Sequence, residues 1–381
     1  MKKIVTLICT TLIFSILYSC GQKSEIAQEN NTEEFNNWYY VRMDNGAIYR
    51  DKDLPYVIDF DNMNTSVICN IPNCSHSTNN CLITALKSSE QLPIIYNGAA
   101  YFFENKNGYI EKDGKNALDL SFKLRKYNFN NCEFSDIAEV KDFNANVDDG
   151  CYLIGTNYYF TTNIGNPTYD ELGNVSSSST SGGGNLFCIN LENGTVTDYG
   201  EVFDYESLKK QYPSAQNSLS MYLMGKIDNQ LYIGINFMKK ELTHEMMQNG
   251  ETPLFYGETH TFDLNTHKIT KLDDEFSMCS MNGYHSYYPS GNNTSIMLQN
   301  VTTGEITQGP DILSWNAMTI FDDKVWHDDA KCFDIKTGKD EKLSSYNCGQ
   351  VIAEYNDSYI FMGEDDKGKT FFEKLHKNTS S

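Results

Sequence analysis

Cys69, Cys74, His76 and Cys81 stand within the run CNIPNCSHSTNNC and form the densest group of metal-ligating or redox-active side chains in the chain. Three thiolates and one imidazole make a complete tetrahedral donor set for a structural zinc ion, with no ligand position left open for a substrate. The spacing, Cys-x4-Cys-x-His-x4-Cys, is not that of the common zinc fingers. The same residues could instead close a disulfide between Cys69 and Cys81, with Cys74 free or paired elsewhere, which is the chemistry an exported chain favours. The chain holds 11 cysteines; setting aside Cys9 and Cys20 leaves nine (11 − 2), and nine cannot all pair internally. Zinc, a disulfide and free thiols all stay open at this level.

No other group of residues makes as complete a site. His327-Asp328-Asp329 has the residue types of an acid–base or metal site, but it falls where a tight hairpin turn is expected, and Asp is favoured there by turn chemistry alone. Asp273-Asp274-Glu275 and Glu364-Asp365-Asp366 read as acidic turns without the alternating ligands of a calcium loop. No nucleophile elbow, phosphate loop or dinucleotide fingerprint is present.

The elements that must position the cysteine run come from a phrase repeated along the chain. An apolar residue, Asp or Asn, and a second apolar residue are followed by a short polar turn and a return run. The copies are Ile58-Asp59-Phe60, Tyr127-Asn128-Phe129, Ile189-Asn190-Leu191, Phe262-Asp263-Leu264, Gln299-Asn300-Val301 and Phe333-Asp334-Ile335. A worn seventh copy is Lys374-Leu375-His376-Lys377-Asn378. Each copy reads as a β-hairpin. An aromatic-rich strand precedes most copies: Trp38–Val41, Tyr101–Phe103, Tyr158–Phe160, Leu231–Ile233, Tyr284–Tyr288, Val325-Trp326 and Tyr359–Phe361. Before most of these sits a further short strand and a turn of Asn or Asp. The unit is therefore four short antiparallel strands, recurring in the later part of the chain at roughly 40 residues.

Such a unit cannot bury both of its faces alone, and stacking the units radially does so. The expected fold is all-β: a β-propeller of seven blades over residues 38–381, with six or eight as alternatives. The first unit is expected to begin at its second strand, Trp38, and the last to end after its third. Thr32–Asn37 is the candidate for the outer strand that closes the ring. Ser176–Gly184 is expected to be a flexible hairpin tip, Asp204–Gln211 a short helix, and Glu241–Gly250 a polar excursion. The cysteine run follows the last strand of the first unit and precedes the second unit, so it crosses one face of the disc.

The chain has 51 acidic against 30 basic residues, a net charge of −21, with 25 tyrosines and 21 phenylalanines. That balance argues against a nucleic-acid partner, whose phosphates need clustered Lys and Arg. The aromatic excess favours strands.

Residues 1–19 have a basic start, Lys2-Lys3, and an apolar run from Ile4 to Tyr18 too short to span a bilayer. Leu17-Tyr18-Ser19-Cys20 resembles the lipobox of bacterial lipoproteins, although Tyr18 is larger than the usual residue. The resemblance implies cleavage before Cys20, a lipid on its sulfur, and anchorage in the bilayer on the outer face of the cell membrane. Residues 20–37 then read as a flexible tether. The combination of this lipobox, the repeated units and Cys69-Asn70-Ile71-Pro72-Asn73-Cys74-Ser75-His76 resembles a group of bacterial lipoproteins of anaerobic Gram-positive type. Their propeller domains are likened to those of LDL-receptor-related proteins, and they carry a Cys-x-x-Pro-x-Cys-x-His segment after the first blade. The resemblance implies fold and location and no activity. The expected role is a monomeric binding or scaffold protein with a protein or carbohydrate ligand; the alternative is a propeller enzyme acting on polysaccharide.

Overall fold

The computed structural model describes residues 33–36, 40–52, 54–87, 92–146, 150–213, 219–238, 255–272, 276–288, 295–311, 318–327, 331–342, 349–365 and 367–377. Two helices are described, α1 (Leu82–Leu86) and α2 (Tyr205–Gln211); the remaining described elements are strands. Antiparallel meanders follow one another along the chain at 40–67, 94–141, 151–201, 220–271, 276–308, 319–342 and 349–376. Among the described residues the first six have four strands each, and the seventh has three: Gly349–Tyr355, Ser358–Glu364 and Thr370–His376.

The repeated phrase is the turn between the third and fourth strand of a meander. Its Asp or Asn side chain accepts the backbone N–H groups two or three residues on. Asp59 Oδ1 accepts from Asp61, Asn128 from Asn130, Asn190 from Glu192 and Asn193, Asp263 from Asn265 and Thr266, Asn300 from Thr302 and Thr303, and Asp334 from Thr337. These are Asx turns, a local reason for that residue type at that place. The next residue performs a second task. The N–H groups of Phe60, Phe129, Leu191, Leu264, Val301 and Ile335 donate to carbonyls in the turn between the first and second strands: Asn45, Gly98, Thr156, Asn229, Gly283 and Asp323. In the seventh meander Lys377 donates to Asp357 in the same way, so the worn copy keeps the backbone clip without the Asx residue. Several first turns have left-handed backbone at both central residues, as at Asn97-Gly98, Asn282-Gly283 and Asp322-Asp323, which is the geometry that matches strand twist.

The packing between meanders has a cyclic order. Phe103, Phe122, Phe160 and Phe187 join the second meander to the third, with Phe103 and Phe160 centroids 4.6 Å apart, and Val41 and Ile48 of the first meander enter the same cluster. Leu186 and Cys188 meet Leu231, Ile233 and Phe262 between third and fourth. Fourth and fifth are joined by a parallel pairing of Gly225 with Ser280 and by Tyr232 stacked on His285. Leu298 meets Val325 and Phe333 between fifth and sixth, and Trp326 meets Val351 and Phe361 between sixth and seventh. The seventh returns to the first: Ile352, Ala353 and Ile360 pack with Tyr40, Ala47, Tyr49 and Ile58, and Tyr355 Oη donates to Asp61 at 2.6 Å. Burying each large apolar side chain is worth roughly 1.5–3 kcal/mol, so every seam matters to stability.

The structure corrects three expectations. Tyr40–Met43 is the first strand of its meander, not the second, because the carbonyl that Phe60 N–H clips, Asn45 O, lies in the turn that follows it, the place of the first turn in the other meanders; Trp38 lies outside the described residues. Glu33–Asn36 does not complete the last meander. It pairs along Cys151–Ile154 of the third and meets Val41 of the first at Asn36, joining the two into one sheet. The Ser/Gly tract is not a hairpin tip: Ser177–Gly182 pair back along Asn163–Thr168, and the turn is at Asp170–Asn174, where Asp170 accepts from Leu172 and Asn174. The helix expected at Asp204–Gln211 is α2, with Asp204 accepting from Ser207 N at 2.9 Å. Glu241–Gly250 lies outside the described residues.

The Gly225 seam has no space for a side chain, since a Cβ there would stand 1.5 Å from the Ser280 carbonyl oxygen. Gly225→Ala should cost on the order of 3 kcal/mol, read as a lower denaturant midpoint. Gly304→Ala, with open space around it and φ of +73°, should cost about 1 kcal/mol.

Candidate metal centre

The segment 69–81 crosses from the fourth strand of the first meander, Thr65–Val67, to α1, and two turns fold it back on itself. In the first, Cys74 N donates to Ile71 O at 3.3 Å; Pro72 sets one central angle and Asn73, with φ of +55°, takes the left-handed one. In the second, Cys81 N donates to Thr78 O at 3.0 Å, and Cys81 then becomes the N-cap of α1. His76 also has left-handed backbone, φ +54°, a conformation uncommon outside Gly. Leu82, Ile83 and Leu86 of α1 are buried in the cluster shared by the first three meanders, which anchors the end of the crossover. Asn70 ties its beginning to the second meander: Tyr127 Oη donates to Asn70 Oδ1 at 3.0 Å, and Asn70 Nδ2 donates to Phe129 O.

These turns bring all four expected ligands together. One donor atom from each of Cys69, Cys74, His76 and Cys81 lies within 4.8 Å of the others. Cys69 Sγ and Cys81 Sγ are 3.8 Å apart, and Cys81 Sγ is 3.5 Å from His76 Nδ1. A disulfide needs about 2.05 Å, so the two sulfurs are not bonded. In a zinc tetrahedron with bonds of about 2.0–2.3 Å the ligand atoms are roughly 3.3–3.8 Å apart; the Cys69–Cys81 and Cys81–His76 separations lie in that range, and the set as a whole, within 4.8 Å, could close on a metal ion. Burial pushes the Cys69 thiol up to about 12. Burial also acts upward on Cys74, but the His76 backbone N–H and the contacts from Cys81, Cys69 and Thr78 outweigh it and hold that thiol below its ordinary value. Among the described residues all eight cysteines are free thiols.

The remaining candidates are brought to no common site. His327 is buried and faces Asp340 at 3.2 Å, while Asp328 and Asp329 lie outside the described residues, as do Asp273–Glu275. Asp365 accepts the Lys367 and Lys369 N–H groups, which is turn chemistry. Cys20 lies outside the described residues. Two polar groups have no signature in the sequence. Ser280 Oγ and His285 Nδ1 are 2.7 Å apart, and both residues are buried, out of reach of a substrate. Glu258 lies between His260 Nε2 at 3.1 Å and Lys271 Nζ at 2.9 Å, on a strand face that otherwise packs on the third meander. Cross-strand register brings His285 to Ser280 and Lys271 to His260, and Glu258 shares a strand face with His260 two residues away.

No protein-family model matches the chain, and no curated protein matches it. Among solved structures, an ulvan lyase of polysaccharide lyase family PL25 is similar at TM-score 0.44 and 9% identity, over 92% of this chain and 96% of that one. Pyrococcus horikoshii acylaminoacyl peptidase is similar at 0.40 and 8%, over 92% of this chain, which spans 54% of the peptidase's length. TolB from Acinetobacter baumannii is similar at 0.27 and 10%, over 89% and 78%. These are distant likenesses of shape and carry no weight for function.

Burial alone would raise the Glu258 pKa, but His260 and Lys271 outweigh it and hold the carboxylate below its ordinary 4.5. A depressed folded-state pKa stabilises the fold above the unfolded value, and the contribution is lost as pH falls through the folded one. Glu258→Gln should therefore cost about 2 kcal/mol at pH 7, and its difference from wild type should shrink as pH falls below about 4, followed by denaturant unfolding across pH.

Proposed function

We propose that the chain is a seven-bladed β-propeller, exported and anchored by lipid on Cys20, that works as a binding or scaffold protein and holds a structural zinc ion on Cys69, Cys74, His76 and Cys81. The observation that carries the reading is that the two ends of the meanders differ. Strands alternate in direction, so the turns between first and second and between third and fourth strands share one end. That end is closed by the repeated N–H to carbonyl clip. The opposite end holds the turns between second and third strands and the crossovers between meanders. It therefore carries the cysteine run and the two long hairpins, Ala99–Lys112 with Lys115–Asn128 and Asn157–Tyr169 with Val175–Asn190. The two hairpin tips are joined by Asn116 N donating to Asn174 Oδ1, and Tyr109, Ile110 and Leu172 are exposed there. Loops grafted on a rigid scaffold are the usual place for recognition.

The strand Glu33–Asn36 supports the orientation. Glu33 pairs with Ile154, next to a clipped turn, so the chain arrives from the clipped end. A tether from Cys20 then puts the bilayer on that side and turns the loop-bearing end outward. Zinc acts in this reading as a staple: it neutralises thiolates that burial disfavours and ties the start of the crossover to the start of α1.

Two measurements test the reading. Wild-type protein expressed in a Gram-positive host should incorporate labelled palmitate and sediment with membranes, whereas Cys20→Ala should be unlabelled and released. Purified protein should contain one zinc per chain by elemental analysis, and Cys74→Ser should lose it; a zinc-free wild type prepared without chelator rules the staple out.

A further inference from the structure

Exposure along the cysteine run is uneven. Pro72, Asn73, Ser75 and residues 77–80 are exposed, Cys69, Cys74 and His76 are half-buried, and Cys81 is fully buried. Both ends of the run are fixed to the fold. Asn70 is held by Tyr127 and Phe129 at the beginning, and Leu82, Ile83 and Leu86 bury α1 at the end. The sulfurs closest in sequence to those fixed ends, Cys69 Sγ and Cys81 Sγ, stand 3.8 Å apart. A bond between them at about 2.05 Å requires about 1.8 Å of approach, shared between two side chains. Cys74 differs: its Sγ accepts the His76 N–H at 3.4 Å, a tie inside the exposed middle. A bond from Cys74 to either neighbour would leave one fixed end unlinked, whereas Cys69 to Cys81 joins the two points that a four-ligand metal centre joins. Of the other described thiols, Cys151, Cys188, Cys279 and Cys332 are buried, and Cys132 Sγ lies 3.8 Å from Asn70 Oδ1.

We infer that the cysteine run is a redox-exchangeable crosslink: its four ligands hold zinc while the thiols are reduced, and a peroxide converts Cys69 and Cys81 into a disulfide that takes over the link. The inference deepens the proposed metal centre by adding its regulation, and it rests on that reading. With hydrogen peroxide as oxidant the chemistry balances. The half-buried Cys69 thiolate attacks one peroxide oxygen, the O–O bond breaks, the second oxygen leaves with a solvent proton as water, and Cys69 becomes a sulfenic acid. The Cys81 thiolate attacks that sulfur, the S–S bond forms, the S–O bond breaks, and the hydroxide takes a second proton to leave as water. Two thiolates lose two electrons in total, and one peroxide is reduced to two waters. Cys74 and His76 then remain as two donors where a closed zinc site needs four, so the ion is released. In either redox state the crossover stays pinned to α1; only the grip on its exposed middle changes.

The test uses the full-length chain in non-ionic detergent, reduced and zinc-loaded, titrated with hydrogen peroxide. Freed zinc is read with a chromogenic chelator, and the thiols by peptide mapping after alkylation. Stoichiometric peroxide should free the bound zinc, and the map should show a peptide joining Cys69 to Cys81 with Cys74 alkylated. Zinc affinity should fall by more than about a hundredfold, the upper range for loss of an outer partner alone, and dithiothreitol should restore it. The denaturant midpoint of the oxidised chain should stay near that of the zinc-loaded chain and above that of the reduced, metal-free chain. Cys74→Ser should still close Cys69 on Cys81, Cys69→Ser should gain no stability from peroxide, and Cys132→Ser should behave as wild type. A disulfide to Cys74 or Cys132, oxidation without a disulfide, or zinc retained after the bond has closed overturns the exchange. The map of the wild-type chain decides this even where the variants do not fold. Zinc content of the reduced chain is measured first: none there removes the metal centre and the exchange together, whereas zinc present with the wrong disulfide removes the exchange alone.

Discussion

A four-stranded antiparallel sheet has two faces, and in this chain neither face of the inner strands tolerates water. Phe102 and Phe103 are adjacent, point to opposite faces, and are both buried; so are Tyr158, Tyr159 and Phe160, and Ile360 and Phe361. Each meander must therefore be covered on both sides, and only neighbouring meanders can do it. A linear stack would leave a wet face at each end. The packing avoids that by returning the seventh meander to the first, where Tyr49 meets Phe372 at 4.7 Å and Tyr355 meets Asp61. The ring proposed for this protein is the arrangement in which no such face is left over.

Closure of this kind explains why the two ends of the meanders differ. At one end each pair of turns is fixed by a single backbone hydrogen bond, which leaves little room for variation in length. At the other end nothing imposes a limit, and there the chain carries long hairpins and the crossover with its four candidate ligands. The crossover with its candidate ligands runs into α1, a helix of five residues too short to be stable alone. Its buried side chains and the turn before Cys81 define it, so packing and the placing of the candidate ligands lie on one short segment.

Much of this was legible because it is local chemistry. An Asx turn depends on one side chain and the two or three amides after it, so the repeated phrase located the hairpin between third and fourth strands in the first six meanders, and in the seventh its place. The four ligands were legible as residue types, and the structure adds the Ile71–Cys74 turn and the left-handed His76 that bring them together. What failed was non-local. Trp38–Val41 is rich in aromatics, as second strands elsewhere are, whereas strand position is decided by the clip from Phe60 N–H to Asn45 in the turn that follows. Glu33–Asn36 has no pattern of its own and is defined by a partner more than a hundred residues away. Ser176–Gly184 has the composition of a loop, but Asp170 and Gly173 had already made the turn, and the tract became its return strand. Lys271 joins Glu258 and His260 only through the register of two strands, which no linear motif records.

The most direct test of the closed ring is hydrogen exchange on a chain ended after residue 348, compared with the full chain. If the seventh meander covers the first, amides of Tyr40–Met43 and Gly46–Asp51 should lose protection along with those of Thr319–Phe321 and Lys324–His327, although nearly 300 residues separate the cut from the former. Protection of the first meander left unchanged by the truncation would mean that the two ends of the chain do not meet, and the account built on their meeting would be wrong.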